Sequence, residues 1–355
     1  MATLKSLVDE TGNIKNELVE CHTNLKNNLI AKGVECSEDD KISTLVEKVK
    51  DTQYIKGFNK LPKWQQETFV FENYWFNCTD MPAGRNTLTS SSVGDKIYCI
   101  GGNNSGGSTN YSKVNECYDT TTNTWTTMSN MTTARNKLTS SSVGDKIYCI
   151  GGYGGNNYSK VNECYNTTTN TWTTMSNMTT ARNGLTSSSV GDKIYCIGGH
   201  DGNSYSKVNE CYNTATNTWT TMSSMTTVRR GLTSSSVRDK IYCIGGYNSS
   251  SRLSINECYN TATNTWTTMS SMTTARDGLT SSSVGDKIYC IGGSNSSKFS
   301  INECYDTTTN TWTTMSNMTT ARDDLTSSSV GSRIYCIGGS VGTTNYLTTN
   351  ACYIP

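Results

Sequence analysis

Short hydrophobic runs alternate with short polar runs along most of the chain, and the pattern repeats. A hydrophobic run ends in a Gly-Gly pair at six places: Gly101/Gly102, Gly151/Gly152, Gly198/Gly199, Gly245/Gly246, Gly292/Gly293 and Gly338/Gly339. Successive pairs lie 50, 47, 47, 47 and 46 residues apart. A fixed period of this length indicates repeated supersecondary units, either a solenoid or the blades of a propeller.

Each repeat contains four segments with the pattern of short β-strands. In the second repeat they are residues 138–143, 146–150, 161–165 and 171–175, separated by turns rich in glycine, asparagine and threonine. The repeat shows no helical periodicity. Four strands in each period predict a propeller blade rather than a helical solenoid.

Side-chain size along the repeat fits the geometry of a blade. The first segment, L-T-S-S-S-V, is unchanged in all six repeats, and four of its six residues are small hydroxyl residues. Such a thin strand suits the crowded axis of a propeller. The second segment, I-Y-C-I, is apolar at successive positions, as expected when both faces of a sheet are covered. A tryptophan in the fourth segment can fill the wider gap at the rim.

The hydrophobic run ending in Gly-Gly, followed by a tyrosine and then a tryptophan seven residues later, resembles the Kelch repeat. The resemblance covers residues 66 to 353 and recurs six times. It implies a β-propeller, and propellers of this family in general bind their ligands on the face that carries the loop after Gly-Gly.

The number of repeated segments predicts six blades. There are six Gly-Gly strands and six third strands, but five tryptophans follow them before the chain stops. Trp75 and Arg85, near the start, have the same spacing as Trp125 and Arg135. We therefore expect segment 69–78 to supply the missing outer strand of the sixth blade. Closure of this kind leaves no exposed sheet edge.

The fold class predicted is all-β: a six-bladed Kelch β-propeller closed by an N-terminal outer strand and preceded by a short α-helical module. The expected divisions are a helical anchor or oligomerisation module at 1–53, a linker at 54–65 and the propeller at 66–355. Apolar residues in the first 31 positions form a heptad-like stripe. Two alternatives remain open for this module, a self-contained helical hairpin and an oligomerising coiled-coil stalk.

Residues 24–49 read N-L-K-N-N-L-I-A-K-G-V-E-C-S-E-D-D-K-I-S-T-L-V-E-K-V. They are similar to a short segment common in tail-fibre and tail-associated proteins of phages and prophages of Gram-positive bacteria. The resemblance implies that other tail or structural proteins bind through the N-terminal helices. It also implies assembly into a virion or tail-like particle after synthesis in the bacterial cytoplasm.

Composition narrows the classes of partner. The net charge is +1, which gives no general electrostatic attraction to nucleic acid or to an anionic membrane. No segment has the length of a membrane span, and the start lacks the apolar core of a signal peptide.

Twelve of the 15 cysteines recur in two registers of the repeat. Disulfides or metal clips are one interpretation, but without an export signal we expect free, packed thiols.

The repeats differ from one another mainly on one predicted face, which carries the loop after Gly-Gly and the connection between blades. This difference indicates either a recognition surface or drift in exposed loops. The arginine that opens each inner strand could be structural or could face a ligand. The candidate ligand-binding residues are Arg135, Asn136, Lys137, Tyr153, Arg182, His200, Arg229, Arg230, Tyr247, Arg276, Asp277, Arg322, Asp323 and Asp324.

Catalysis has little support in the sequence. There are two histidines, His22 and His200, which are too few for a copper or zinc site, and no nucleophile-base set can be assembled around them. We expect no metal and no cofactor. The sequence therefore favours a non-catalytic recognition protein that binds a cell-surface glycan or protein and that can form a homo-oligomer. The alternatives are an intracellular protein-protein adaptor and, by fold analogy alone, a metal-independent sugar epimerase.

Overall fold

The structure, a computed structural model, describes residues 73–104, 110–342 and 345–355. The predicted helical module at 1–53 and linker at 54–65 lie outside the described residues. Within the described ranges the regular elements are β-strands, and they form six four-stranded antiparallel sheets and three two-stranded ones. Each first strand contacts the first strands of both neighbouring sheets, and the sixth contacts the first. The prediction of a six-bladed propeller is confirmed.

The four strands of a blade follow the repeat. The first strands are Thr89–Val93, Thr139–Val143, Thr186–Val190, Thr233–Val237, Thr280–Val284 and Thr326–Val330. The second strands are Lys96–Ile100, Lys146–Ile150, Lys193–Ile197, Lys240–Ile244, Lys287–Ile291 and Arg333–Ile337. The third strands are Asn115–Asp119, Asn162–Asn166, Asn209–Asn213, Asn256–Asn260, Asn302–Asp306 and Asn350–Ile354. The fourth strands are Thr124–Thr127, Thr171–Thr174, Thr218–Met222, Thr265–Met269, Thr311–Thr314 and, for blade six, Tyr74–Asn77.

Three short two-stranded pairs stand beside the blades. They are Arg85–Asn86 with Asn103–Asn104, Tyr153–Gly154 with Asn157–Tyr158, and Ser294–Asn295 with Ser297–Lys298. All three pairs belong to the loop that follows Gly-Gly or to the connection between blades.

The N-terminal strand closes the ring, as the sequence predicts. Tyr74–Asn77 pairs antiparallel with Asn350–Ile354, and Trp75 lies opposite Tyr353 with ring centroids 4.9 Å apart. The Trp75 indole N–H donates to the carbonyl of Ser316 in blade five at 2.7 Å. Blade six therefore reproduces a contact that the other blades make. In each of them the rim tryptophan donates its indole N–H to a backbone carbonyl of the preceding blade: Trp125, Trp172, Trp219, Trp266 and Trp312.

Hydroxyl groups join the first strands around the axis. The Ser140 hydroxyl lies 2.8 Å from the hydroxyls of both Thr89 and Ser91 in the preceding blade. The same three-hydroxyl contact recurs between every pair of neighbouring blades. The small polar first strand is therefore explained, because buried hydroxyls need partners and six strands must fit around one axis.

The hydrophobic core lies between adjacent blades rather than inside one. Tyr98 and Ile100 of blade one, for example, pack against Ile147, Cys149 and Tyr165 of blade two. The thirteen described cysteines are free thiols, and all but Cys78 are buried. Burial raises the pKa of the Cys99 thiol to about 12, which makes this repeated cysteine a packed apolar group rather than a nucleophile.

The Gly-Gly pair has no room for side chains. Gly151 and Gly152 have φ values of 68° and 99°. A Cβ on Gly151 would lie 2.8 Å from the carbonyl oxygen of Arg182, and one on Gly152 would lie 2.7 Å from that of Asn136. Both contacts are too short, so the pair permits close approach of the blade-to-blade connection.

No helix among the described residues is long and apolar enough to span a membrane. In the same ranges there is no cluster of three or more His, Cys, Asp or Glu side chains placed to hold a metal ion.

Replacing Trp75 by alanine is expected to destabilise the propeller more than replacing Trp219, its equivalent in blade three. Each change removes a packed indole and should lower the free energy of unfolding by about 3 to 5 kcal/mol. The Trp75 variant should lose about 1 kcal/mol more, since its strand has no turn tying it to its neighbour and detaches with a large gain of chain entropy. Denaturant unfolding of the two full-length variants measures the difference. Equal losses of unfolding free energy would mean that the closing strand contributes no more to stability than its equivalent in blade three.

Candidate functional site

The loops between the second and third strands emerge on the same side of the propeller as the connections between blades. In blade two, Asn136 of the connection and Tyr153 of the loop exchange two backbone hydrogen bonds, at 2.9 and 2.8 Å. On the opposite side, Thr167 of the third-to-fourth turn donates to the carbonyl of Asp145 in the first-to-second turn. The predicted division of the loops into two faces is confirmed. We call the side with the changing loops the variable face.

Three residues of each blade pair side by side on the variable face, and we call each set a triplet. The inner member follows the buried arginine, the middle member follows Gly-Gly, and the outer member ends the loop. The triplets of blades one to six are Asn86/Asn103/Tyr111, Asn136/Tyr153/Tyr158, Asn183/His200/Tyr205, Arg230/Tyr247/Arg252, Asp277/Ser294/Lys298 and Asp323/Ser340/Tyr346. The backbone is thus repeated while the side chains are not.

A closed circle of backbone hydrogen bonds surrounds the axis at the centre of this face. It joins the residues next to the inner triplet members, Thr87, Lys137, Gly184, Gly231, Gly278 and Asp324, with N–O distances of 2.8 to 2.9 Å. Each of the six has a positive φ between 50° and 62°. Three of them are not glycine, and left-handed backbone at such residues is often found at functional sites. We call this circle the axial ring.

The size of each side chain in the axial ring depends on the inner triplet member of the next blade, which lies against it: the ring residue is glycine where that member is Arg230, Asp277 or Asp323. The Cβ atoms of Arg230 and Asp277 lie 3.5 Å from the Cβ position of the ring residue they pass over, and in both cases that residue is glycine. Asp323 passes over Gly278 in the same way, at 3.6 Å. Where the inner member is asparagine, in blades one to three, the ring carries Asp324, Thr87 and Lys137 instead. The charged groups therefore lie at two levels around one opening.

The opening is a pocket of about 320 Å³ lined by the axial ring and by four charged triplet members, Arg230, Arg252, Asp277 and Asp323. Acids lie on blades five and six, as Asp277, Asp323 and Asp324, whereas Lys137 and Arg230 lie on blades two and four. Charges of both signs therefore line one pocket, from different blades. At the other end of the axis a second opening is lined by serine hydroxyls from all six blades.

Some of these charges are paired and some are not. The Lys298 ammonium lies 2.6 Å from a carboxylate oxygen of Asp323, and the Arg252 Nε lies 3.2 Å from one of Asp277. Lys137, Arg230 and Asp324 form no side-chain hydrogen bond or ion pair with any residue in the described ranges. These three are the charges that a ligand could pair with first.

Asp324 has an unusual pKa for a carboxyl group. Desolvation is the largest cause, the neighbouring Asp323 adds to it, and Lys137 opposes it, so that the pKa of Asp324 is raised to about 6. The ionised carboxylate is therefore held in the pocket at neutral pH without the partner that would stabilise it.

An arc of aromatic rings crosses the triplets of blades one to four. Successive centroids are 5.0 to 5.8 Å apart along Tyr111, Tyr153, Tyr158, His200, Tyr205 and Tyr247. The arc ends in two cations: Arg230 lies 5.4 Å from the centroid of Tyr205, and Arg252 lies 5.3 Å from that of Tyr247. Edge-to-face and cation–π contacts hold these large side chains in place on the surface.

His200 is neutral at physiological pH and presents a donor. Partial burial and then the Arg230 cation lower its pKa. The backbone N–H of Gly202 donates to Nδ1 at 3.1 Å, and the Tyr158 hydroxyl lies 3.1 Å from the same atom. Because Nδ1 accepts, the ring proton is on Nε2, where it can be donated to a ligand.

The repeated arginines are not on the accessible surface. Arg135, Arg182, Arg229, Arg276 and Arg322, all candidates from the sequence, are 0 or 1% exposed, as is Arg85. Arg135 donates to the carbonyls of Gly151, Val161 and Cys149 and to the carboxylate of Glu163. Of the two roles that the sequence left open, the contacts are those of a structural residue. Asn136 is buried as well, and its amide donates to Asn103.

The structure brings the other candidates together on one face and adds residues that the sequence analysis missed. Lys137, Tyr153, His200, Arg230, Tyr247, Asp277, Asp323 and Asp324 all lie in the axial ring or the triplets. The outer triplet members have no fixed distance from Gly-Gly in the sequence, because the loops differ in length. Counted backward, each outer member stands four residues before the asparagine that begins the third strand.

Comparison with known families agrees with this geometry. Residues 137–339 match the KLHDC2/KLHL20/DRC7 Kelch-repeats domain, and residues 84–132 match the Kelch motif. The protein belongs to the Kelch-repeat family of β-propellers, since the first match alone covers more than half of the chain. Kelch repeats suggest a protein-protein interaction module. No individual curated protein matches the chain.

Replacing Asp324 by asparagine is expected to stabilise the protein at neutral pH. The folded-state pKa is raised, so the ionised carboxylate destabilises the fold above about pH 6, and this penalty is lost as the pH falls below that value. The variant should gain about 1 to 2 kcal/mol near about pH 8 and nothing near about pH 4. Asparagine also tolerates left-handed backbone. Denaturant unfolding at both pH values measures the gain.

The matched control is Asp323 to asparagine. It removes a charge beside Asp324 but also breaks the ion pair with Lys298, so it should give no net stabilisation. A gain of equal size at both pH values for the Asp324 variant would contradict the assignment of the penalty to its charge.

Proposed function

We propose that this protein is a non-catalytic recognition protein whose variable face binds a protein on a cell surface. The observation that carries the proposal is the aromatic arc, with Arg230 and Arg252 at its end, on a backbone that is otherwise repeated. Tyrosine and arginine are over-represented among the residues that dominate protein-protein binding. Contacts with neighbouring rings hold these side chains in place, which reduces the entropy lost on binding.

The axial pocket supplies the polar part of the same interface. Lys137, Arg230 and Asp324 form no side-chain hydrogen bond or ion pair with a described residue, so a ligand that brings opposite charges could pair with all three. Both signs occur in one opening, and this favours a partner with a patterned, not uniform, charge.

We further propose that the chain acts as a receptor-binding component of a phage tail fibre or tail-like particle. The similarity of residues 24–49 to tail-associated segments supports this location, and the propeller would then be presented by the N-terminal segment to the host envelope. Binding of a host cytosolic protein, without binding to cell envelopes, would favour the adaptor alternative.

Labelled full-length protein should bind intact envelopes of the Gram-positive host in a saturable way. Prior treatment of the envelopes with protease should abolish binding, whereas periodate oxidation of surface glycans should leave it unchanged. The reverse result would replace the protein ligand by a glycan.

Face variants test which side of the propeller is used. Tyr205 to alanine and Arg230 to alanine should each reduce envelope affinity by about ten-fold or more, since truncation of an interface hot spot costs about 2 kcal/mol or more and tyrosine and arginine are enriched among hot spots. Lys193 to alanine, an exposed change on the opposite face, should have no effect. If Lys193 matters and the other two do not, the variable face is not the binding surface.

A further inference from the structure

Blade six differs from the other blades at the buried arginine. In blades one to five the arginine Nη2 lies 2.5 to 2.9 Å from a glutamate carboxylate on the third strand of the same blade. The pairs are Arg85–Glu116, Arg135–Glu163, Arg182–Glu210, Arg229–Glu257 and Arg276–Glu303. In blade six the third strand reads N-A-C-Y, and Ala351 takes the place of the glutamate.

The glutamate normally bridges two donors. In blades two to five its second oxygen accepts a hydrogen bond from the backbone N–H of the threonine three residues before the arginine. In blade two, for example, Glu163 joins Thr132 to Arg135. The carboxylate thus neutralises the guanidinium and satisfies an N–H of the connection between blades at the same time.

Both donors are retained in blade six, but no acceptor among the described residues bridges them. Arg322 is 1% exposed, and its Nη2 reaches one acceptor, the carbonyl of Cys336 at 3.1 Å. Its Nη1 donates to the carbonyls of Gly338 and Thr349. The second hydrogen of Nη2 and the backbone N–H of Thr319 have no partner within the described ranges.

The nearest compensation is indirect. Asp80 adds a favourable Coulombic effect on Arg322, although burial is the larger influence and lowers the pKa of the guanidinium. The Asp80 carboxylate accepts hydrogen bonds from Asn350 and Thr348 and is not in contact with Arg322. A buried guanidinium with no contacting anion is unfavourable, so the site favours an anion from solution.

We propose that this site in blade six binds a small carboxylate anion of the acetate class. The atoms by which glutamate exceeds alanine are one CH2 and one carboxylate, which are the heavy atoms of acetate. Its oxygens would accept from Arg322 Nη2 and Thr319 N–H, as the glutamate oxygens do from the equivalent donors in blades two to four. Thr319 is exposed, which gives access from the variable face.

The position of the site gives the bound anion a structural effect. Blade six is the blade that the N-terminal strand closes, and Ala351 lies opposite Asn77 of that strand. An anion that neutralises Arg322 would therefore stabilise the closing sheet.

Thermal unfolding of the full chain in sodium acetate tests the proposal, with sodium pivalate at equal ionic strength and pH as the control. Acetate should raise Tm in a saturable way by about 2 to 4 °C, and pivalate, which is too bulky for the space of a glutamate side chain, should not. Isothermal titration of acetate should give one site per chain. No saturable response to acetate, or an equal response to pivalate, would overturn the proposal.

Variants at the site separate this effect from general salt effects. Ala351→Glu should raise Tm and abolish the response to acetate, because the carboxylate is then supplied by the chain. Ala351→Gln should abolish the response without the gain in Tm, since it fills the space but carries no charge. An undiminished acetate response in Ala351→Glu would place the anion elsewhere.

Blade two provides an internal control. Glu163→Ala recreates the arrangement of blade six next to Arg135, and acetate should then bind at two sites per chain with a larger rise in Tm. A stoichiometry that stays at one in a folded Glu163→Ala protein would show that removal of the glutamate is not sufficient to make the site.

Discussion

The pairing of the two ends of the propeller is the contact on which the rest of the structure depends. Tyr74–Asn77 completes the sheet that Asn350–Ile354 begins, and the Tyr353 hydroxyl donates to Asn73 at 2.8 Å. Without it, blade six would expose the edge of its third strand, and an unpaired edge invites association with other chains. Two further circles of contacts also need both ends. The axial ring is closed by the backbone hydrogen bond from Thr87 to Asp324, and the circle of first-strand hydroxyl contacts is closed by Ser90 with Thr326 and Ser328.

Closure explains why so polar a sequence folds. Hydrophobic residues make up 34% of the chain, yet many of the hydroxyl and amide side chains of each repeat form hydrogen bonds, such as those of Ser140 and Thr167 in blade two. The asparagine of the third-to-fourth turn accepts from a tyrosine of its own blade and from the backbone of the preceding one, as Asn170 does from Tyr165 and Ser129. Because the repeat recurs, the same set of hydrogen bonds forms in every blade. The apolar residues then fill the space between adjacent blades.

With the scaffold repeated, differences among blades stand out, and they are of two kinds. Those on the variable face change the side chains of the triplets and leave the backbone alone, which suits recognition. The replacement of glutamate by Ala351 is of the other kind, because it lies inside the scaffold and leaves Arg322 without its carboxylate. In the sequence both kinds of difference are substitutions within a repeat. The structure separates them, because the triplet substitutions lie on the variable face and Ala351 lies inside the scaffold.

The sequence predicted the scaffold well because its signals are local and occur six times. The strands, the closing role of Trp75 and the division into two faces all follow from spacing. It did not predict the burial of Arg135 and its equivalents, because the glutamate partner is 28 residues away and only the fold brings the two together. Nor did it predict the axial ring, since Thr87 and Asp324 become neighbours only when the circle closes.

Amide hydrogen exchange of the unmodified full-length protein tests the central claim of closure most directly. The seam strands Tyr74–Asn77 and Asn350–Ile354 should be protected far above the level of an unpaired edge, close to their equivalents in blade three, Thr218–Met222 and Asn209–Asn213. Exchange of the seam strands at the rate of an unpaired edge, with blade three protected, would contradict the account.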